Sequence, residues 1–322
     1  MNKAFFTDIT IENFKSLRAV QLADCKRINV FIGKPNVGKS NILEALSVFS
    51  INNVSKRNSI GNIQEIKKFV RMDTETELFF DGEESTPIKL ATNLGTIDMT
   101  NSFSDGLEIK YSEEMPKGLI PVKKYTFKSH GIQLNTHKEV NDSLMFPFGE
   151  NLLNIIQTHP KLNKVCRELF KEYNLQLLFD KRNRSMMITK PSRSEGDEMP
   201  AIFTMPYGSV ADTLQRIIFY KTAIASNTDT VLLFEEPEAH SFPPYIREIT
   251  QDILSAKSNQ FFITTHSPFV LNDFLENGRD ELAVFVVGWE NGETIVKKLS
   301  DEQLYDIYQY GVDLFTNIET FI

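Results

Sequence analysis

Three short stretches of the chain are apolar at almost every position. They are "INVFIG" (28–33), "TVLLF" (230–234) and "QFFITT" (260–265). Runs like these suit strands buried on both faces of a parallel sheet. "SNILEALSVFS" (40–50) has a different period. Ile42, Leu43, Leu46 and Phe49 recur near helical spacing, so residues 28–50 read as strand, loop, helix. From 207 onward the alternation returns, with helices over 211–226, 243–256 and 268–277 between the strands and a closing hairpin over 282–299. Such alternation predicts a parallel sheet covered by helices.

The middle of the chain follows another pattern. "ELFFDG" (77–82), "PIKLAT" (87–92), "LEIKYS" (107–112) and "KKYTFKS" (123–129) read as short strands separated by turn residues, as "FFTDITIENF" (5–14) does near the start. Residues 150–172 are helical in pattern but interrupted by Pro160. Residues 174–190 read as a hairpin around "KRNR", and the polar stretch 191–200 as a linker. The expected fold class is α/β. A core built from 1–50 and 201–322 carries an inserted α+β lobe over 51–200.

Composition narrows the classes. With 322 residues, 41% of them hydrophobic, the chain can build a substantial core in one large domain or two modest ones. A net charge of -8 argues against a generally basic coat for nucleic acid. A local excess exists at 161–193, where Lys161, Lys164, Arg167, Lys171, Lys181, Arg182, Arg184, Lys190 and Arg193 face only Glu168, Glu172 and Asp180. A solvated helix and hairpin face accounts for it, and a grip on phosphates or on an acidic partner is the alternative. Two cysteines without metal-ligand spacing fit a reducing cytosol. No signal-peptide core and no run of about 20 apolar residues is present, so a cytoplasmic location off the membrane is expected.

"GKPNVGKS" (33–40) fits G-x-x-x-x-G-K-[ST] at each fixed position. Gly33 and Gly38 let the backbone curl so that the N–H groups around Asn36, Val37 and Asn41 face a phosphate, at the positive end of the next helix. Lys39 is expected to neutralise β- and γ-phosphates, and the Ser40 hydroxyl to ligate Mg²⁺. Adjacent carboxylates at the tip of "VLLF" are otherwise costly, which gives Glu235 and Glu236 a purpose beside that loop. Glu235 is expected to hold the metal, and Glu236 to act as general base toward water. His266, after the 260–265 strand, projects at the same sheet edge and can bond the γ-phosphate.

Together "IENFKS" (11–16), "GKPNVGKSNILEA" (33–45), "FEEPEAHSFP" (234–243) and "TTHSPFVL" (264–271) resemble the ABC-type ATPases of the RecF/SMC branch. The nearest likeness is to the overcoming-lysogenization-defect (OLD) type ATPase domains of bacterial phage defence. The resemblance covers about 1–50 and 205–275 well, 310–315 weakly and 51–200 hardly at all. It implies a P-loop NTPase head of ABC type with ATP and Mg²⁺ as cofactors. It also implies a homodimer that sandwiches two ATP molecules. Each site then takes a signature segment from the other subunit. Here that segment reads "MPYGSVADTLQRI" (205–217), which departs from L-S-G-G-Q, with Gly208, Ser209 and Asp212 as candidate contacts. Gln64 is a candidate Q-loop residue, and Glu238 and His240 are candidates to cross the interface. A DNA or effector partner, such as a separately encoded nuclease, is expected by the same resemblance, since no acidic cluster for a nuclease metal site follows 282–288.

Four functions compete on the sequence. An ATP-gated hydrolase fits the intact acidic pair. A regulatory scaffold with little turnover fits the degenerate signature. A transporter motor is disfavoured by "IENFKS" and the missing L-S-G-G-Q. A GTPase or small-molecule kinase is disfavoured by the lack of N-K-x-D and by the paired glutamates.

Overall fold

The apolar run at 28–32 is a strand with all five residues buried. It sits inside a sheet in a computed structural model of the chain. The structure describes residues 5–51, 59–102, 106–112, 121–129, 142–180, 182–183, 185–191 and 202–322. In chain order the elements are β1 (Ile9–Phe14), β2 (Leu17–Leu22), β3 (Ile28–Ile32), α1 (Lys39–Ser47), α2 (Ser59–Ile66), β4 (Ile88–Thr92), β5 (Gly95–Ser102), β6 (Gly106–Tyr111) and β7 (Val122–Tyr125). There follow α3 (Leu152–Thr158), α4 (Pro160–Lys171), β8 (Gln176–Asp180), β9 (Ser185–Pro191), β10 (Ile202–Pro206), α5 (Asp212–Ala225), β11 (Val231–Glu235) and α6 (Pro243–Ser255). The chain closes with β12 (Gln260–Thr264), α7 (Pro268–Gly278), β13 (Leu282–Glu290), β14 (Glu293–Lys298) and α8 (Asp301–Tyr310).

A six-stranded sheet runs in the order β14-β13-β3-β12-β11-β7. β3 lies between β12 and β13 and is parallel to both, and β11 is parallel to β12. β14 returns antiparallel on β13, as the closing hairpin requires. The carboxyl ends of β3, β11 and β12 therefore leave the sheet at one edge, where open α/β sheets bind ligands. α1 packs on β11 and β12, and its Ile42, Leu43 and Leu46 are fully buried. Phe31 stacks between Phe262 and Phe285, with centroids 6.3 and 5.3 Å away. Each such ring contributes on the order of 1.5–3 kcal/mol by leaving water. Asn29, fully buried in β3, spends its amide on the carbonyls of Lys26 and Phe261, so a polar residue survives inside this strand.

A second sheet, β2-β1-β4-β5-β6, is antiparallel throughout. β4 pairs with β1 from Ile9↔Thr92 to Glu12↔Lys89. The compact units of the chain accordingly differ from the expected boundaries at 50 and 200. One unit holds Met1–Lys124, Thr228–Glu238 and Ile253–Ile322, and the other holds Tyr125–Asn227 and Ala239–Asp252. Much of the expected insertion completes a sheet begun by the first residues, while β10 and α5 belong to the other unit. "ELFFDG" is not a strand either. Residues 75–78 and 80–82 form 3₁₀ turns, Thr74 and Glu77 make a capping box, and Phe79 alone bridges to Phe14.

In the other unit, the antiparallel sheet β10-β9-β8 is covered by α4, and α5 packs on α3 and α4. Pro160 is not a kink but the first residue of α4, where its missing N–H costs nothing. α4 buries Leu162, Cys166, Leu169 and Phe170 and leaves Lys161, Lys164, Arg167 and Lys171 exposed, as a solvated basic face does. Most of the expected linker, 192–200, lies outside the described residues, as do Lys181, Arg184 and Arg193 of the basic cluster. Among the described residues no helix is long and apolar enough to cross a membrane.

Candidate functional site

The loop after β3 curls over the amino end of α1 because two residues take left-handed backbone. Asn36 has φ 62° and Gly38 φ 98°. Glycine is required at 38 for a second reason. A Cβ there would stand 2.2 Å from Thr294 Oγ1 and 2.7 Å from Ser16 Oγ. Those two hydroxyls lie 2.7 Å apart, Thr294 Oγ1 donates to Val37 O at 2.9 Å, and Asn41 Nδ2 donates to Ser16 Oγ at 2.7 Å. The phosphate-loop backbone is thus braced from behind by β14 and by the turn between β1 and β2. Gly33 is equally constrained, since a Cβ would meet Val287 O at 2.3 Å.

Pro35, Asn36, Gly38, Lys39, Ser40, Asn41, Arg71, Glu235, Glu236 and His266 line one cleft of about 370 Å³. Of the residues expected to meet nucleotide, Gly33 and Val37 shape the loop without lining the cleft. Lys39 Nζ donates to the carbonyls of Gly33 (2.8 Å) and Lys34 (2.7 Å). Burial pushes its pKa down to about 8, against the opposing pull of Glu236 and Glu235. The Ser40 hydroxyl donates to Glu235 Oε1, joining the end of the loop to the tip of β11.

Glu236 leaves β11 with φ 44°, an uncommon conformation for a glutamate, held by its N–H on Thr264 O at 3.0 Å. His266 Nε2 lies 3.4 Å from Glu236 Oε1. Burial lowers the His266 pKa, Lys39 lowers it further, and Glu236 opposes both. A neutral imidazole beside a carboxylate can position a water or a phosphate oxygen. Glu238 lies behind His266. Its Oε1 accepts from the Thr265 hydroxyl and, at 3.4 Å, from His266 N, while Oε2 is buried without a hydrogen bond. Burial raises its pKa. A carboxyl only 7% exposed and turned inward corrects the expectation that Glu238 reaches across an interface. His240 is exposed and accepts a hydrogen bond from Thr213 through its carbonyl.

Three further charged residues, to which the sequence assigns no role, gather near the cleft. Glu44, on α1, is fully buried, with Lys15 Nζ 2.6 Å from Oε2 and Arg71 Nε 2.7 Å from Oε1. Arg71 also reaches Glu235 Oε1 at 3.4 Å and occupies the cleft wall. Lys124, on β7, is buried and donates to Phe69 O at 2.9 Å. The guess at Gln64 fails on geometry, since that side chain is exposed on α2 and does not line the cleft. Gly208, Ser209 and Asp212 lie in the other compact unit, at the end of a 3₁₀ turn and the start of α5. Gly208 and Ser209 are exposed, and Asp212 is half-buried near Arg216.

A family model described as "AAA ATPase domain" matches residues 6–189, more than half of the chain. The chain belongs to this AAA ATPase domain family. A second model, "AAA domain, putative AbiEii toxin, Type IV TA system", matches residues 128–272. The fold of this ATPase is also that of solved SMC heads. The SmcHead bound to the C-winged helix domain of ScpA superposes with a TM-score of 0.55 at 13% identity, covering 92% of this chain and 98% of that one. The Smc head domain with an extended coiled coil, bound to the C-terminal domain of ScpA derived from Pyrococcus furiosus, gives 0.54 at 11% identity, covering 96% and 100%. No curated protein matches the sequence. The family is that of AAA ATPase domains, and the fold it shares with SMC heads is the α/β fold that carries the P-loop at 33–40.

Proposed function

We propose that this ATPase domain binds Mg·ATP in the cleft between the phosphate loop and the tips of β11 and β12, and hydrolyses it. The observation that carries the reading is convergence. Lys39, Ser40, Glu235, Glu236 and His266 come from three separate segments and share one cleft. The donor set suits a magnesium ion. Ser40 and Glu235 offer oxygen ligands already in contact, and Mg²⁺ takes few protein ligands beside phosphate and water. Bound there, the ion would neutralise phosphate charge. Lys39 would leave the Gly33 and Lys34 carbonyls for the β- and γ-phosphates. Glu236 would take a proton from the attacking water, and His266 would orient that water or the γ-phosphate.

The likeness to SMC heads supports a further step, a homodimer with ATP between subunits, and Gly208, Ser209 and Asp212 are the segment offered to the partner's nucleotide. The motif resemblance to OLD-type domains supports an outlet in phage defence or genome maintenance, with nucleotide state gating DNA or a separate effector. Turnover of the wild type against Glu236→Gln tests the hydrolase, because equal rates would exclude it and leave the scaffold with little turnover. The mass of Glu236→Gln with and without ATP tests the dimer, since an unchanged monomer would remove it.

A further inference from the structure

Behind the metal side of the cleft, two carboxylates share two cations. Arg71 touches Glu44 Oε1 at 2.7 Å and Glu235 Oε1 at 3.4 Å. Lys124 Nζ stands 4.0 Å from Glu44 Oε1 and 3.9 Å from Glu235 Oε2. Lys15 completes the group on the other oxygen of Glu44. The three elements that present them, α1, the segment after α2, and β7, bring residues 44, 71 and 124 to the back of one side chain. Arg71 is largely exposed, with 68% of its side chain accessible, and can move. Lys124 and Glu44 cannot, being 4% and 0% accessible.

We infer that Lys124 and Glu44 form a fixed, opposed charge pair that sets how strongly Glu235 and Ser40 hold a divalent cation. The inference rests on the reading of Glu235 and Ser40 as metal ligands. An ammonium 3.9 Å from Glu235 Oε2 repels any cation on the cleft side of that carboxylate. Glu44, at the same remove from Lys124, offsets part of that repulsion. Both groups are shielded from water, and charges a few ångströms apart interact more strongly there than in solvent. Neither lines the cleft, so neither needs to touch the nucleotide. They are positioning residues, and their effect on metal binding has opposite sign.

The opposite signs make the test. The quantity to measure is the gain in affinity for a fluorescent ATP analogue on adding magnesium, relative to EDTA, in the whole protein. Lys124→Met removes a repelling charge, and the gain should rise at least about fivefold. Glu44→Gln removes the offsetting anion, and the gain should fall by a similar factor. The double variant removes one charge of each sign and should return close to the wild-type gain. General damage to the fold would weaken binding in both single variants and more in the double. If both singles shift the same way, or the double fails to recover, the inference is overturned. A wild type that binds nucleotide with no gain from magnesium would instead overturn the metal reading of Glu235 itself.

Discussion

His266 Nε2 lies 3.4 Å from Glu236 Oε1, and the two residues reach each other from neighbouring parallel strands. Burial keeps the imidazole below its ordinary pKa of 6.5 and hence neutral at pH 7. Glu236→Gln should cut turnover by about 10²–10⁴ while ATP binding persists. His266→Ala should cut it by about 10². On the acid side, protonation would turn His266 into a cation paired with the base, and turnover should fall at a pH below 6.5. Because the folded pKa is depressed, the stability tied to the neutral ring is present above 6.5 and is lost as pH falls through the folded value. A pH–rate profile in which His266→Gln keeps the same acid limb would separate that limb from this pair.

Lys39 adds a limb on the alkaline side. Its pKa of about 8 belongs to the nucleotide-free protein, where it meets only loop carbonyls and distant carboxylates. A phosphate favours the ammonium, so binding above pH 8 must take up a proton. Affinity for ATP should then fall with rising pH, by at most about tenfold per unit. Calorimetry in buffers of different ionisation enthalpy should show uptake near zero at pH 7 and approaching one proton about a unit above 8. In the free protein the sign reverses. The folded pKa lies below the unfolded 10.5, so this group favours folding more as pH rises from 8 to 10.5. Proton uptake that persists in Lys39→Met would assign it elsewhere.

The glycines at 38 and 208 should part company under mutation. Gly38→Ala forces a Cβ onto Thr294 and Ser16 at a φ of 98°. The backbone strain alone costs about 1–3 kcal/mol, and the displaced brace should abolish nucleotide binding. A Cβ at Gly208 meets nothing within 4 Å, so Gly208→Ala should fold and bind nucleotide as the wild type does. Thermal melts with and without ATP separate the two cases. If Gly208→Ala nonetheless loses turnover, the lost contact belongs to another molecule, as a dimer sandwich requires. Full turnover would remove Gly208 from the signature segment.

The cleft was legible in the sequence because polar, chemistry-bearing residues end apolar strands at three places, and a parallel sheet sends such interruptions to one edge. Thr294 and Ser16 were not legible as a brace, since they lie 278 residues apart and neither follows a spacing rule. Glu44, Arg71 and Lys124 escaped for the same reason. A charge cluster assembled from distant segments leaves no local pattern. α8 does carry a local signal, since Ser300 and Gln303 form a capping box at its start. "ELFFDG" reads as a strand because Leu78, Phe79 and Phe80 make a short apolar run, whereas the chain turns on both sides of Phe79, with Asp81 at φ 49°. The expected insertion boundary failed on pairing. β4 supplies the partner that β1 needs, and no composition shift marks such a debt.

Glu238 gives the last prediction. Its carboxyl holds the turn carrying His266, yet one oxygen is buried with no hydrogen bond. Burial raises its pKa above 4.5, against the hydrogen bonds from Thr265 and His266. A raised carboxyl contributes stability below the unfolded pKa, and that stability is lost as pH rises through the folded one. Glu238→Gln keeps an acceptor for Thr265 and His266 but cannot ionise. The difference in Tm between Glu238→Gln and the wild type should therefore increase as pH rises from 4.5 toward 8, whatever its starting sign. The added amide N–H groups set only the offset, because they do not titrate. Thermal melts at several pH values measure the slope. A difference that stays flat, or falls with pH, would mean that Glu238 ionises freely and that the turn at 265–267 opens to water.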